Sequence, residues 1–474
     1  MKVLLIYPPS DHIITTNVPS EVEEASGVYP PLGLLYVAAY AEKRTSAEVA
    51  VLDTQVEKLG TKEIEERVSA YGPDIVGIQA MTFTLVDAME TARAVKRVSE
   101  GIHVCLGGPH VNIYPEETLE IPEVDSLVMG EGEVVFSELV RCLEAGKSLE
   151  EVKGLAFRRD GKAVVTGRRP FIQDLDALPH PARHLVPYRE YTSALATETP
   201  ITTMMSSRGC PFRCIFCDRP HLGKVFRARS PESIAAEMKE CQEMGIREVF
   251  FYDDTFNVNR KRVVDLCKLI VEEKIDLRWD IRARVDLMDE EMLRALRDAG
   301  CARIHYGVEA GTPEMIEVLR KGIDLGAVRR VIEFSEKMGI ATLAYFMIGN
   351  PGETREQIME TIEFARSLPA SYVHISVTTP FPATELYRVG LERKVIPDDH
   401  WREFARHPSA DFVPRLWEEK LSREELIGLL RYAYGKFYFR PGYMLRRLLA
   451  VRSAGELGRK ARAALRLAKV WLRG

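Results

Sequence analysis

No stretch of the 474 residues holds the roughly 18 consecutive apolar residues that a membrane-spanning helix requires. The opening Met-Lys-Val-Leu-Leu-Ile-Tyr-Pro-Pro is too short, and wrongly flanked, for a secretion signal, so a cytoplasmic protein is expected. A disulfide framework is missing as well. Cys105, Cys142, Cys241, Cys267 and Cys301 are scattered singly through strand-like and helix-like stretches, which suits a reducing compartment. No G-x-G-x-x-G fingerprint marks a dinucleotide site. No recognisable helix-turn-helix or signalling module is present either. The net charge of −5 hides an asymmetry: from Lys436 to Gly474, eleven Lys/Arg face one acid, Glu456, leaving about −15 on the rest. An acidic body excludes a general nucleic-acid binder and singles out the tail.

The other three cysteines stand together, in Cys210-Pro211-Phe212-Arg213-Cys214-Ile215-Phe216-Cys217. A structural zinc site takes four tetrahedral protein ligands, so three on one loop serve zinc poorly. A [4Fe–4S] cluster normally takes four cysteines, one per iron. Three leave one iron open, free to hold and activate a small molecule. None of the five scattered cysteines is a convincing fourth ligand, because each reads more simply as a core residue.

The length suggests two or three domains. Over residues 1–145, β-branched apolar runs at Val3–Tyr7, Val49–Leu52, Ile75–Ile78, His103–Leu106 and Ser126–Met129 alternate with helix-period stretches such as Leu85–Val98. That alternation predicts a parallel, doubly wound, flavodoxin-like (Rossmann-type) α/β sheet. Residues 146–200 read as a linker with a hairpin around Asp160-Gly161 and then a Pro- and Arg-rich passage. A second α/β series covers 201–395, with strands at 201–206, 247–252, 277–283, 302–308, 341–348 and 372–378. Ser230-Pro231-Glu232, Asp289, Thr312-Pro313-Glu314 and Thr354-x-x-Gln357 are helix starts. Six βα units make a partial (β/α)6 barrel of the TIM type. A helical region, 396–474, ends the chain.

Active groups of such a barrel sit where strands end. The cysteine loop follows the first strand, Asp253-Asp254-Thr255 the second, and the third carries Arg282 and Arg284. Glu309-Ala310-Gly311 follows the fourth strand, Gly349-Asn350-Pro351-Gly352-Glu353-Thr354 the fifth and Thr378-Thr379 the sixth. A helix cap or turn accounts for Thr354 or Gly311 taken alone. Together these groups suit a zwitterionic ligand that carries a ribose.

This half resembles the radical S-adenosylmethionine (SAM) enzymes, whose C-x3-C-x2-C signature it matches, including aromatic Phe216. The resemblance implies a [4Fe–4S] cluster on Cys210, Cys214 and Cys217 that chelates SAM and cleaves it to a 5′-deoxyadenosyl radical, with the protein orienting the chemistry. It also implies an electron donor such as ferredoxin or flavodoxin. Asp253, Asp254 and Thr255 take the place of the family's Gly-Gly-Glu, lacking both glycines. By the same resemblance Arg284 and Glu309 face the carboxylate and ribose. Gly349, Asn350, Glu353 and Thr379 then flank the adenine.

In the first domain, Leu106-Gly107-Gly108-Pro109-His110 and Met129-Gly130-Glu131-Gly132-Glu133 follow the fourth and fifth strands. Paired glycines let a backbone approach a ligand, and such turns can cradle a phosphate; each also occurs as an ordinary α/β turn. Placed before a radical SAM barrel, the domain resembles the cobalamin-binding module of the cobalamin-dependent radical SAM family, which includes lipid and tetrapyrrole methylases and anaerobic cyclases. The match spans nearly all of residues 1 to about 390, including Tyr29-Pro30-Pro31-Leu32-Gly33. It implies that Gly107, Gly108, His110, Gly130, Glu131 and Gly132 line the cobalamin, with Thr82 and Thr84 nearby. The D-x-H-x-x-G motif that lends cobalt a histidine elsewhere is missing, and Asp11-His12 lacks its spacing.

The resemblance implies methyl transfer from SAM through methylcobalamin to an unactivated carbon. Oxidative cyclisation or another rearrangement is the alternative, and a cobalamin or redox sensor is a further one. From Gly442 to Leu472, aliphatic positions interleave with arginines at helical period. The pattern fits an interfacial helix on the inner face of an anionic membrane, with a lipid or isoprenoid substrate, and it equally fits a docked helix with solvated charges. His305, Tyr306, Tyr345 and His374 lie on or near barrel strands and either face a substrate or pack.

Overall fold

The computed structural model describes residues 1–14, 27–218, 223–449 and 458. Its first sheet contains β1 (Lys2–Tyr7), β2 (Glu48–Asp53), β3 (Ile75–Gln79), β4 (His103–Gly107), β5 (Ser126–Val128), β6 (Leu155–Arg159) and β7 (Lys162–Val165). The spatial order is β2-β1-β3-β4-β5-β6-β7. The first five strands are parallel in the 2-1-3-4-5 order of a flavodoxin-like sheet. Helices cover both faces, so β1 is apolar from Val3 to Ile6 and buries all four.

The hairpin expected inside the linker belongs to this sheet instead. β6 pairs antiparallel with β5, Leu127 opposite Ala156, and β7 follows. Leu155, Ala156 and Phe157 are buried, so the hairpin covers an apolar edge that β5 would otherwise expose.

The second sheet runs in chain order through β8 (Ile201–Met204), β9 (Glu248–Phe251), β10 (Arg278–Ala283), β11 (Cys301–Glu309), β12 (Ala341–Ile348) and β13 (Tyr372–Val377). All neighbours are parallel, and β8 and β13 remain edges, so this is an open six-stranded barrel. The helices outside it start where caps predict. Ser230, Asp289, Thr312 and Thr354 accept the backbone N–H of Ser233, Met292, Met315 and Gln357, and Thr354 completes its capping box with Gln357. Gly245 and Gly300, just past two of these helices, take positive φ.

Both sides of the barrel are covered. The helix Arg423–Tyr438 lies along β13, where the Tyr434 and Tyr438 hydroxyls bond the outward N–H and C=O of Ile375 and Val373. On the other side, Leu35 and Val56 of the first domain share a core with Ile201 and Phe250, and Tyr29 and Tyr252 pack on it. Trp401 and Phe404 join the core of the first domain, and Phe83 meets Phe381 edge to face at 5.1 Å. Among the described residues no helix is long and apolar enough to cross a membrane. The helix Pro441–Leu449 buries Tyr443, while most of the basic segment expected to the C-terminus lies outside the described residues.

Candidate functional site

The cysteine loop hangs from a stalk. Ser207-Arg208 pairs antiparallel with Arg227-Ala228, closing the loop at its base. Asp253, at the end of β9, is fully buried and braces the entry, accepting from Ser206 N (2.7 Å), Ser206 Oγ (2.5 Å) and Ser207 Oγ (2.5 Å). Arg262 stands 4.0 Å behind it. With its carboxylate so engaged, Asp253 supports the loop and is not placed to receive a ligand, contrary to expectation. Exposed Asp254 and buried Thr255 come next, and Thr255 Oγ1 lies 3.5 Å from Cys210 Sγ.

Cys214 is buried, Cys210 half-buried and Cys217 exposed, and none of the three is in a disulfide. Phe216 packs against the barrel core. A structural zinc site takes four protein ligands, so three cysteines on one loop fit an iron–sulfur cluster with one iron unclaimed. The other five cysteines are buried, and burial pushes Cys105, Cys241 and Cys267 up to about 12, leaving protonated thiols that are poor ligands.

Around the rim, Arg284 lays its guanidinium over the Phe212 ring at 3.8 Å, which ties β10 to the cysteine loop. It is held by Asp286 (3.0 Å) and the Lys321 carbonyl (2.7 Å). Lys321, unforeseen from the sequence, donates to Glu309 Oε1 at 2.8 Å, and Glu309 takes a left-handed backbone, φ 74°. After β12, Asn350 N and Nδ2 donate to Glu353 Oε2 (2.8 and 3.0 Å), and Thr378 donates to Asn350 Oδ1 (2.8 Å). Glu353 Oε1 is buried without a partner, and burial pushes the carboxyl up to about 7. Gly349 (φ 76°) is glycine to admit Leu426 from the C-terminal helix, and Thr379 Oγ1 donates to Val377 O at 3.1 Å.

The rim of the first domain offers a second cradle. At Gly107 an added Cβ would come no closer than 3.8 Å to any atom, and at Gly130 (φ 76°) it would meet nothing within 4 Å. The Gly130 backbone borders open space, as a close-lying ligand requires, while Gly107 has room for a Cβ in ordinary van der Waals contact with Val128. Gly108 (φ 123°) packs on Ala80 instead, 2.7 Å from a would-be Cβ, and Gly132 on Val37. His110 is fully buried, its Nδ1 3.1 Å from Thr82 Oγ1 and its Nε2 without a partner, and burial pushes it down to about 3. Thr84 Oγ1 is likewise buried and unmatched. The open Gly130 backbone and the unspent polar atoms of His110 and Thr84 on the same rim fit a large amide-bearing cofactor such as cobalamin. His12 is committed elsewhere, Nδ1 at 2.9 Å from Asp87.

Glu131 departs from expectation. Its carboxylate accepts Arg208 NH1 (2.8 Å), Arg227 NH1 (2.8 Å) and Ile172 N (2.6 Å), while Glu133 accepts Arg208 NH2 (2.5 Å). All four charged residues are buried. One carboxylate of the first domain thus grips both arms of the stalk, which brings the two rims together. No local signal announces this, because the partners are 77 and 96 residues away.

Inside the barrel, His305 faces the lumen beside Arg303 and bonds Tyr345 Oη at 2.9 Å, and burial pushes it down to about 4. Tyr306 points outward to Ser335 and packs.

Comparison with known proteins agrees with this geometry. Residues 204–365 match the model of the Radical SAM superfamily, and residues 22–140 match the B12 binding domain. An uncharacterized methyltransferase of Pyrococcus horikoshii is 35% identical over 449 residues, 94% of each chain. The anaerobic magnesium-protoporphyrin IX monomethyl ester cyclase of Rubrivivax gelatinosus is 27% identical over 94% of this chain and 78% of its own. In fold, the cobalamin-dependent S-adenosylmethionine radical enzyme OxsB matches with TM-score 0.73 and 17% identity, covering 98% of this chain and 72% of that one. TsrM, a radical S-adenosylmethionine methyltransferase of Kitasatospora setae, gives 0.69 and 21% over 83% and 76%. With the cluster loop and the cobalamin cradle in one chain and a relative this similar end to end, the protein belongs to the cobalamin-binding radical SAM family and is a cobalamin-dependent radical SAM enzyme.

Proposed function

We propose that this enzyme moves a methyl group from SAM to an unactivated carbon of a small-molecule substrate, with cobalamin as the methyl carrier. One observation carries the reading: Glu131 and Glu133 hold the stalk of the cysteine loop against the glycine rim of the first domain. A carrier cradled on that rim and a radical source on that loop would then serve one substrate between them. The methyltransferase name of the Pyrococcus horikoshii relative supports the same reading.

When bound, the cluster supplies the electron that cleaves SAM to a 5′-deoxyadenosyl radical, and cobalamin supplies the methyl group. The protein's part is to hold and orient. Cys210, Cys214 and Cys217 hold the cluster; Thr255, Arg284, Glu309, Asn350, Glu353 and Thr379 surround SAM. Gly107, Gly130, His110, Thr82 and Thr84 receive cobalamin. The exposed side of the loop, at Cys217, is where a ferredoxin- or flavodoxin-type donor would approach. The domain division at about 200 and 395 and the membrane-facing tail belong to the same proposal, with the first domain extended through the hairpin to about 165.

Cyclisation is the competing reading, supported by the Rubrivivax gelatinosus relative. Methyl-deuterated SAM separates the two. Incubated with reduced enzyme and an extract of the source cells, it puts deuterium into a product if the methyl group is transferred. A product formed without label, alongside 5′-deoxyadenosine, would mean cyclisation or rearrangement.

A further inference from the structure

The lumen of the second sheet is open and polar. Along β12 and β13, Ala344, Phe346, Val373 and Ile375 face the helices and are buried. Tyr345, Met347, His374 and Ser376 alternate with them on the inner face and keep part of their surface exposed. Arg282, on the inner face of β10, shares that partial exposure. Its guanidinium lies 4.3 Å over the Tyr252 ring, and NH1 donates to the Phe251 carbonyl at 2.6 Å. No carboxylate lies within 4.0 Å of it among the described residues. Every buried arginine described has one, as Arg183 has Glu237 and Arg303 has Asp280. Asp280 is two residues below Arg282 on the same strand, about 6.6 Å by strand rise. It is already engaged by Arg303 at 2.7 Å, and Glu248 also faces Arg303, at 3.3 Å.

We propose that Arg282 receives an acidic group of the substrate, a carboxylate or a phosphate, inside the barrel. A half-buried guanidinium has lost part of its hydration; the Phe251 carbonyl and the Tyr252 ring replace some of it and leave the rest of the fork to a ligand. Its planar fork suits either acid bidentately, and the Tyr252 face already fixes its plane. The neighbours Tyr252, Tyr345 and His374 bring no competing negative charge. Tyr252 and Tyr345 are phenols that burial keeps protonated, and His374, pushed down to about 4 by burial, is neutral. The substrate is therefore an acid, and a pure hydrocarbon lipid is the wrong class. The inference rests on the reading of the barrel as the reaction chamber, not on whether the transferred group is methyl.

The test is arginine footprinting of the anaerobic, cofactor-loaded enzyme with phenylglyoxal, read peptide by peptide. Exposed Arg213 serves as the unprotected reference. The expected result is labelling of Arg282 that slows about tenfold, an effect of roughly 1.4 kcal/mol, with saturating inorganic phosphate or acetate while Arg213 is unaffected. Protection by phosphate alone assigns a phosphoryl substrate, and protection by acetate alone assigns a carboxylic acid. An Arg282 that resists labelling, or labels equally with and without either anion, overturns the proposal. Protection together with unlabelled product from methyl-deuterated SAM would sink methyl transfer and leave the acid subsite standing.

Discussion

A side chain at Gly307 would collide with Glu309 Oε1 and Lys321 Nζ, so this glycine makes room for an ion pair on the barrel rim. Gly307→Ala is expected to push the ends of these two flexible side chains aside, at a cost of about 1 kcal/mol. A denaturant midpoint lowered accordingly, with weaker SAM binding at unchanged iron content, checks this; an unchanged midpoint refutes it. Cys214 is the buried member of the cysteine trio. Cys214→Ala should reduce iron to background and stop 5′-deoxyadenosine formation in anaerobic assays. Glu353 gives a pH signature. Burial raises its folded-state pKa to about 7, above the unfolded value near 4.5. The folded state then holds more protons between those values, so stability falls as pH rises from about 4.5 to about 7, by at most about 3 kcal/mol. Thermal unfolding across that range should show this loss in the wild type and a flatter profile in Glu353→Gln. At this scale the cysteine trio was legible in the sequence because its ligands are neighbours in the chain. Asp253 was not, since nothing local reveals that Ser206 and Ser207 occupy it.

Among the elements, β13 depends on a borrowed edge. Tyr434 and Tyr438, one turn apart on the last long helix, satisfy four backbone groups of a strand that would otherwise be open. The double change Tyr434→Phe and Tyr438→Phe keeps the rings and removes both hydroxyls. It is expected to cost about 2–4 kcal/mol in unmade bonds and to promote association, seen as a lower midpoint and a faster-sedimenting species. Equal stability and a monodisperse profile would contradict the edge role. Strands and helix starts were readable beforehand, because buried parallel strands are apolar throughout and caps are local. The hairpin Leu155–Val165 was readable as a hairpin but not as part of the first sheet, since strand pairing depends on a partner about 30 residues away.

In the whole molecule, the two domains meet at a buried carboxylate. Glu131 binds arginines from both arms of the stalk, so disturbing either rim strains the other. Glu131→Gln takes one carboxylate from each of two buried guanidinium groups, with Arg208 keeping Glu133, and is expected to weaken cobalamin binding about tenfold and to lower cluster retention together, read by cobalamin titration and iron analysis. Loss of one cofactor with full retention of the other would refute the linkage. Such contacts escape a reading of the chain, because they join residues that only the packing of two sheets brings together. The chemistry depends most directly on an iron that the three cysteines leave free for SAM. Electron–nuclear double resonance of the reduced enzyme with SAM labelled by ¹⁵N at its amino group is predicted to show nitrogen coupled to the cluster. A reduced cluster that shows no such coupling with SAM saturating would contradict it.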